Sequence, residues 1–104
     1  MLKPIETDIL IIGSGLAGSI AALTAADEGK QVIIITKTKD LKSGNSPHAQ
    51  GGIAYSGVKD SPDKLKEDIL KAGAGHCWEP AVDWISTKGP NLVKKILIDK
   101  LNIA

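Results

Sequence analysis

The stretch TDILIIGSGLAG, residues 7–18, decides the fold of this chain. Four apolar residues in a row, 9–12, end at Gly13. A short apolar run bounded by glycine is typical of a strand that is buried on both faces, as in a parallel sheet. The glycines that follow predict a tight turn out of this strand.

Small and apolar residues follow the turn at helical spacing until Gly29, which is expected to cap the helix. Residues 31–36, QVIIIT, then form a second apolar and β-branched strand. Strand, turn, helix and strand predict a right-handed βαβ unit at about residues 7–37. The predicted fold class is α/β, with this unit as the N-terminal part of a Rossmann-like domain.

Gly13, Gly15 and Gly18 form the motif G-x-G-x-x-G between the strand and the helix. The first glycine permits the turn, the second lets a diphosphate approach the backbone, and the third lets helix and strand pack closely. Free N–H groups and the helix dipole at the start of the helix favour negative charge. In this context the motif predicts a dinucleotide site, whereas the alternative is a glycine turn with a structural role only.

The composition is that of a small globular chain, with 104 residues, a net charge of +1 and one cysteine. A charge near zero gives no reason to expect nucleic acid or an anionic membrane as a partner. No apolar run approaches the roughly 20 residues of a membrane span, and the first residues lack the apolar core of a secretory signal. A lone Cys77 cannot form an internal disulfide. These features predict a cytoplasmic protein.

The two predicted strands are too few for a complete dinucleotide-binding sheet, which has about five or six. Two parallel strands rich in isoleucine would also leave apolar edges unpaired. We therefore expect the chain to be the front end of a larger protein, or a chain that folds only with a partner.

The second strand ends in Thr36, Lys37, Thr38 and Lys39, with no acid until Asp40. Dinucleotide sites commonly have an acidic residue about 20 positions beyond the glycines, where it binds the ribose hydroxyls. Lys37 and Lys39 could meet the 2′-phosphate of NADP, or Thr36 and Lys37 could hold ribose and adenine without a carboxylate. A solvated strand end is the third interpretation.

Residues 43–54, SGNSPHAQGGIA, are too rich in glycine, proline and small polar residues for regular structure. Consecutive glycines beside Gln50 suit a backbone that passes close to a flat ligand and donates N–H bonds to it. A functional loop and a linker are both consistent with this composition.

Three amphipathic helices are predicted within residues 61–102. The first has Ser61 as its N-cap and ends at Gly73 or Gly75. Apolar residues recur on one face of it, which favours packing against another helix over a binding site.

The second of these helices is predicted to begin at Glu79 and to end at the Gly-Pro pair 89–90. Val82, Ile85 and Trp84 are expected to face inward. The third carries its apolar residues within 92–101. We interpret both as scaffold.

His76 and Cys77 are adjacent, but they predict neither a metal site nor a nucleophile with its base. Structural zinc needs about four ligands, and no C-x-x-C pair or second histidine lies nearby. Neighbouring residues rarely face each other in the geometry that a nucleophile and its base require. We predict no metal ligand in this chain.

Residues 13–18, 35–37 and 45–54 together resemble the family of FAD enzymes that contains succinate dehydrogenase, fumarate reductase and L-aspartate oxidase. In that family Thr-Lys or Ser-Lys commonly stands where other nucleotide binders have an acid, as it does here. Residues 70–77, LKAGAGHC, resemble the L-aspartate oxidase branch. The resemblance extends over nearly the whole chain.

The resemblance implies FAD as the cofactor and a non-covalent attachment. Family members that attach FAD covalently carry a histidine five residues before the glutamine equivalent to Gln50, and that position is Asn45 here. His48 lies in the same loop but three residues later, which is the wrong register for the bond.

The implied cofactor site combines the glycine turn at the diphosphate, Lys37 at the adenosine, and a flavin loop at about 43–56. Donors from this loop would tune the electron affinity of the flavin, with Gln50 and the following two N–H groups as candidates. The predicted site residues are Gly13, Ser14, Gly15, Leu16, Ala17, Gly18, Lys37, Asn45, Ser46, Pro47, His48, Ala49, Gln50, Gly51 and Gly52.

The reaction that the resemblance implies is oxidation of L-aspartate to iminoaspartate, a step in NAD synthesis through quinolinate. The two substrate carboxylates need arginines or histidines to orient them, and this chain contains no arginine. We therefore assign no catalytic residue and expect the chain alone to be inactive, with the family's capping and C-terminal domains absent from it. The expected partners are L-aspartate in the complete enzyme, and quinolinate synthase or another chain that completes the fold.

Two alternatives stay open. One is the front end of a flavoprotein of the succinate dehydrogenase and fumarate reductase type, against which Asn45 and residues 73–77 count. The other is a non-enzymatic dinucleotide-binding remnant, which the short length favours.

Overall fold

The computed structural model describes residues 1–50 and 52–103. The chain divides into two compact units, Met1–Gly51 and Gly52–Ala104. The first contains strand β1, helix α1, strand β2 and a 3₁₀ turn, and the second contains helices α2 and α3 and a π-helical segment. Their bounds are Ile9–Ile12 for β1, Leu16–Asp27 for α1, Val32–Ile35 for β2, Ser46–His48 for the 3₁₀ turn, Pro62–Gly73 for α2, Glu79–Leu92 for α3 and Val93–Lys100 for the π-helical segment.

The first unit is built on a parallel pair of strands joined by a helix. β1 and β2 pair in register from Ile9 opposite Val32 to Ile12 opposite Ile35. α1 crosses between them and contacts both strands. The predicted α/β fold class is therefore confirmed, because parallel strands require such a crossover.

Two side chains before β1 fix where the second strand begins. Thr7 Oγ1 donates to the Gln31 carbonyl at 2.8 Å, and the Asp8 carboxylate accepts the Gln31 N–H at 2.8 Å. Both polar groups of the Gln31 backbone are thus used at the start of β2, which pins the register of the two strands.

β1 is not buried on both faces, contrary to the expectation from its apolar run. Leu10 is 55% exposed and Ile12 is 82% exposed. A two-stranded sheet with one covering helix cannot enclose these side chains, since burial on both faces requires a layer on each side of the sheet. The apolar run correctly predicts a strand. The prediction that this strand is buried on both faces is wrong.

The second unit begins with α2, which has the predicted N-terminus. The Ser61 side chain accepts a hydrogen bond from the Lys64 N–H at 3.3 Å, as an N-cap does. α2 ends at Gly73, and the left-handed conformation that follows belongs to Ala74 at φ +47° and Gly75 at φ +86°. α2 packs on α3, where Val82 and Ser86 are the buried residues among those described.

α3 does not end at residues 89–90 but continues through them to Leu92 and into the π-helical segment. The prediction of two separate helices is wrong here. Proline disfavours a helical residue before it through a clash with that residue's Cβ, and Gly89 has no Cβ. Pro90 therefore enters the helix without this clash, while the Ser86 carbonyl loses its usual N–H partner four residues later.

The inward face of α3 also differs from the prediction, and Trp84, which was expected to face inward, is 59% exposed. Val82 is 4% exposed, as expected, but Ile85 is 46% exposed and Ser86 is only 1% exposed. Ser86 Oγ donates to the Asp83 carbonyl at 3.2 Å, which satisfies the hydroxyl inside the helix pair. None of the helices described is long and apolar enough to cross a membrane.

Candidate functional site

An open groove of about 430 Å³ lies at the carboxyl ends of β1 and β2 in the first unit. Ligands of open α/β sheets bind beyond the carboxyl ends of the strands, so this is the expected place for a site. No carboxylate lines it. The lining residues are Ile12, Gly13, Ser14, Gly15, Ile35, Thr36, Lys37, Ser43 and Gly44.

The glycine turn forms the floor of this groove. Gly13 has φ +108°, a conformation that side chains other than glycine's rarely adopt, and its N–H donates to the Ile35 carbonyl at 2.8 Å. This hydrogen bond continues the β ladder into the turn. The chain then reaches Gly15, the N-cap of α1, with an extended backbone and no side chain of its own to cap the helix.

The third glycine of the motif permits close packing. A Cβ on Gly18 would overlap the Gly13 carbonyl oxygen and lie 3.1 Å from the carbonyl carbon and 3.3 Å from Ile11 Cγ2. The first two obstacles are backbone atoms, which cannot move aside. The start of α1 therefore sits against the end of β1 only because residue 18 has no side chain.

The N-terminal amides of α1 lie next to the groove, since the N-cap Gly15 is one of its lining residues. The Leu16 N–H donates to Ser46 Oγ at 3.0 Å. Within residues 1–50 and 52–103, the N–H groups of Ala17 and Gly18 have no hydrogen-bond acceptor. Unpaired amides at a helix N-terminus, together with the helix dipole, favour an anion.

The segment after β2 is held together by short-range hydrogen bonds. Thr36 Oγ1 donates to the Thr38 carbonyl, and Thr38 Oγ1 to that of Asp40 at 2.9 Å. The Asp40 carboxylate accepts the Lys42 N–H at 2.9 Å. Asp40 thus acts in a local turn and is absent from the groove lining, whereas Lys37 lines the groove. Among the described residues that line the groove, Lys37 is the only one with a charged side chain.

Two serines connect this segment to the glycine turn. Ser14 Oγ donates to the Leu41 carbonyl at 2.8 Å, and Ser46 Oγ accepts from Leu16, as described above. The two contacts join residues 27 and 30 positions apart in sequence. They keep the loop after β2 next to the start of α1.

Similarity to known proteins shows which family the chain belongs to. The family model described as the FAD binding domain matches residues 8–97. The chain belongs to this family. The FAD-binding family accounts for the dinucleotide motif, and the predicted cofactor, FAD, is confirmed at this level.

Curated relatives of this FAD-binding chain are L-aspartate oxidases. That of Halobacterium salinarum is 42% identical over 103 residues, which are 99% of this chain and 20% of the relative. The Streptomyces coelicolor enzyme is 38% identical over 94 residues, 89% of this chain and 16% of the relative. L-Aspartate oxidase 1 of Ralstonia nicotianae is 45% identical over 83 residues, 79% of this chain and 15% of the relative. The chain thus spans a fifth or less of the length of these proteins, and the predicted resemblance is confirmed.

The residues of the groove fit the diphosphate and adenosine parts of FAD. Gly15 leaves its backbone open on the side of the groove, the Ala17 and Gly18 amides are unpaired among the described residues, and Lys37 supplies a positive charge. A volume of about 430 Å³ lies within the common range for ligand pockets. The first unit of this FAD-binding chain thus offers donors and a cation where a dinucleotide's anionic part would lie.

The predicted site residues divide into three groups. Gly13, Ser14, Gly15 and Lys37 line the groove, and residues 16–18 form the first turn of α1 beside it. Among residues 45–50, Ser46 contacts α1 by a hydrogen bond, but Asn45, Pro47, His48, Ala49 and Gln50 are not part of the groove lining. Gly51 lies outside the described residues, and Gly52 belongs to the second unit.

Several groove residues were absent from the predicted site. Ile12 and Ile35 line it because they end the two strands, and the rule on carboxyl ends could have identified them. Ser43 and Gly44 fall at the start of the predicted flavin loop but were not among the individual site residues, and they line the groove because the loop after β2 folds back over the glycine turn. No local sequence signal predicts that return, since it depends on contacts about 30 positions apart.

His76 and Cys77, in the second unit, take structural positions. His76 Nδ1 lies 3.2 Å from the Ala74 carbonyl oxygen, and Cys77 Sγ lies 3.5 Å from the Ile69 carbonyl oxygen. The thiol also occupies the space beside Gly73 where a Cβ would be. Among the residues that the structure describes, no group of three or more histidine, cysteine, aspartate or glutamate side chains could hold a metal.

Proposed function

We propose that the groove of the first unit holds the adenosine diphosphate part of FAD. The observation that carries this proposal is the pair of amides at Ala17 and Gly18, unpaired among the described residues, next to a glycine N-cap that lines the groove together with Lys37. The amides would donate to the diphosphate, and Lys37 would attract its charge near the adenosine. Thr36 would bind the ribose region without a carboxylate.

We further propose that residues 45–50 of the first unit run beside the ribityl chain and flavin ring and hold the flavin non-covalently. Asn45 has no ring nitrogen to form a covalent bond to the flavin. The side-chain amide of Gln50 would donate to the polar edge of the flavin and so adjust its electron affinity.

The complete protein would oxidise L-aspartate to iminoaspartate, in the quinolinate route to NAD. The names of the relatives support this proposal, and the family match supports the cofactor. When bound, FAD supplies an acceptor for the hydride, and with it the two electrons, that leaves the aspartate Cα. This chain would contribute cofactor binding, while the cations that orient the two substrate carboxylates would come from residues outside it.

The cofactor proposal is tested by titrating FAD into the purified chain and recording the visible spectrum after gel filtration. We expect a flavin band that stays with the protein and is released when the protein is denatured. Retention of the band after denaturation would contradict non-covalent attachment, and its absence after gel filtration, together with no change on titration, would contradict FAD binding by this chain.

Gly15→Ala tests where the diphosphate lies. A Cβ there would lie 3.3 Å from Ser46 Oγ, and the backbone conformation of Gly15 is open to alanine. We expect an approximately tenfold weaker affinity for FAD with little loss of helix content, because the new methyl group would keep the diphosphate from the amides. Gly57→Ala is the matched control, since a Cβ there contacts nothing within 4 Å. Equal affinities of the two variants would contradict the placement.

A test of the substrate proposal requires the part of an enzyme that binds the substrate. In a chimaera, this chain replaces the matching 94 residues of the Streptomyces coelicolor L-aspartate oxidase. We expect FAD-dependent peroxide production with L-aspartate and none with succinate. A chimaera that binds FAD but forms no peroxide from L-aspartate would contradict an enzymatic role for this chain. The isolated chain should form no peroxide from L-aspartate.

A further inference from the structure

The start of α1 is capped by a residue from far along the chain. Gly15 stands at the N-cap and has no side chain, and no capping hydrogen bond comes from it. Ser46 Oγ lies 3.0 Å from the Leu16 nitrogen and accepts that N–H. Ser46 thus does, from 30 positions away, what serine or aspartate at an N-cap usually does locally.

Ser46 is part of a short, well-braced turn. His48 N–H donates to the Asn45 carbonyl at 3.0 Å, and Ala49 N–H donates to the Ser46 carbonyl at 3.2 Å. Pro47 adds a fixed backbone angle within the turn. Since the turn is stiff, the position of the Ser46 hydroxyl also sets the position of its neighbours, including the start of the proposed flavin loop.

The capping bond leaves the rest of the helix end available. It uses the Leu16 amide, whereas the Ala17 and Gly18 amides keep no acceptor among the described residues. One amide therefore holds the loop, and the next two stay available to a diphosphate. The lack of a Cβ on Gly15 makes this possible, because that atom would lie 3.3 Å from Ser46 Oγ.

We propose that Ser46 is a positioning residue for FAD, one that holds the flavin loop against the helix end that takes the diphosphate. This inference rests on the proposed function. It assigns to Ser46 a role exerted through the Leu16 amide, so that the loop stands at a fixed distance from the diphosphate site before FAD binds. Binding both ends of one ligand then requires less ordering of the loop.

The test compares the affinities of the full chain for FAD and for ADP, which lacks the flavin. In Ser46→Ala the loop loses its contact with α1 while the helix amides remain. We expect FAD to bind about tenfold more weakly and ADP to bind with nearly the wild-type affinity. Ser46→Thr retains the hydroxyl and should restore FAD affinity. The Leu16 amide should exchange with solvent faster in Ser46→Ala and not in Ser46→Thr.

Ser61→Ala is the matched control, because it removes a serine cap from α2 in the other unit. It should lower the unfolding temperature without changing FAD affinity. Wild-type FAD affinity in Ser46→Ala, or equal losses for FAD and ADP, would overturn the role of Ser46 while leaving FAD binding by the chain intact. Failure of the wild-type chain to bind either ligand would overturn the proposed function and this inference together.

Discussion

The three glycines of the motif are required for different physical reasons. Gly13 adopts a positive φ of +108° in open space, so its constraint is conformational. Gly18 has an ordinary helical backbone but faces backbone atoms at contact distance, so its constraint is steric. Gly15 has an unstrained extended backbone, but a Cβ there would lie only 3.3 Å from Ser46 Oγ, so the lack of a side chain leaves room for Ser46 and, under the proposed function, for the diphosphate. Substitutions at the three positions should therefore impair the protein for different reasons.

Gly18→Ala should reduce stability in the absence of any ligand. The new Cβ would overlap the Gly13 carbonyl, and relief requires α1 to move away from β1. We expect the free energy of unfolding to fall by about 1–3 kcal/mol, the usual effect of overpacking. Urea unfolding followed by circular dichroism measures this change. Gly44→Ala is the control, since a Cβ there meets nothing within 4 Å, and an equal effect of both variants would contradict the steric explanation.

The ion pair between Lys66 and Asp83 makes stability depend on pH in the alkaline range. Lys66 Nζ lies 2.6 Å from Asp83 Oδ1 and connects α2 to α3. The hydrogen bond to Asp83, and then the attraction of its charge, raise the pKa of Lys66 above the ordinary 10.5. Because the folded-state pKa is raised, the pair stabilises the folded state below pH 10.5, and this contribution is lost as the pH rises through the raised pKa.

Asp83→Asn should therefore lower the unfolding temperature at about pH 8, and the difference from wild type should shrink above about pH 10.5. Thermal unfolding at a series of pH values checks this. Asp99→Asn is the matched control, since Asp99 pairs with Lys94 inside one exposed helical segment and connects no two elements. A difference for Asp83→Asn that stays constant up to the highest pH would show that the ion pair is not its cause.

At the scale of elements, α3 shows how a helix can continue through a proline. The Gly-Pro pair at 89–90 carries two stop signals, yet the helix continues to Leu92 and the π-helical segment follows directly. The absence of a Cβ before the proline removes one clash, and packing of α3 on α2 supplies contacts that local propensity lacks. The hydrogen bond from residue 90 to the Ser86 carbonyl is still missing, because proline has no backbone N–H.

Pro90→Ala should stabilise the second unit, because it restores an N–H at the position that the Ser86 carbonyl faces. The gain could reach about 3 kcal/mol, the usual penalty for proline inside a helix. Gly89→Ala is the comparison: a Cβ there would lie 3.7 Å from Ile85 Cγ2, an ordinary contact, but it reintroduces the clash with Pro90. We expect helix content and unfolding temperature to rise in Pro90→Ala and to fall in Gly89→Ala. A loss of stability in Pro90→Ala would contradict the explanation.

At the scale of the whole molecule, the exposed apolar strands predict self-association. In the described part of the chain, β1 pairs only with β2, so each strand has a free edge. Leu10 and Ile35 on these strands are 55% and 45% exposed. Free apolar edges recruit further strands from other molecules.

Light scattering of the purified chain should therefore give a mean mass that rises with concentration. Leu10→Lys should reduce this rise, because a charge on an edge strand opposes pairing. Val58→Lys adds the same charge at a fully exposed position outside any strand and should have little effect. Equal effects of the two variants would mean that net charge, and not the strand edge, controls association.

The sequence by itself determined the βαβ unit, the glycine turn, the cap at Ser61 and the family, because each follows from the order of residues over short distances. Runs of apolar residues, glycines at fixed spacing and a serine before a proline act locally, whatever surrounds them. The tertiary structure alone decided which side chains are buried, that α3 continues past Pro90, and that Ser46 caps α1. These depend on contacts between residues far apart in the chain, and a local pattern does not specify them: Ile12 is as apolar as a core residue, yet the two-stranded sheet leaves it exposed.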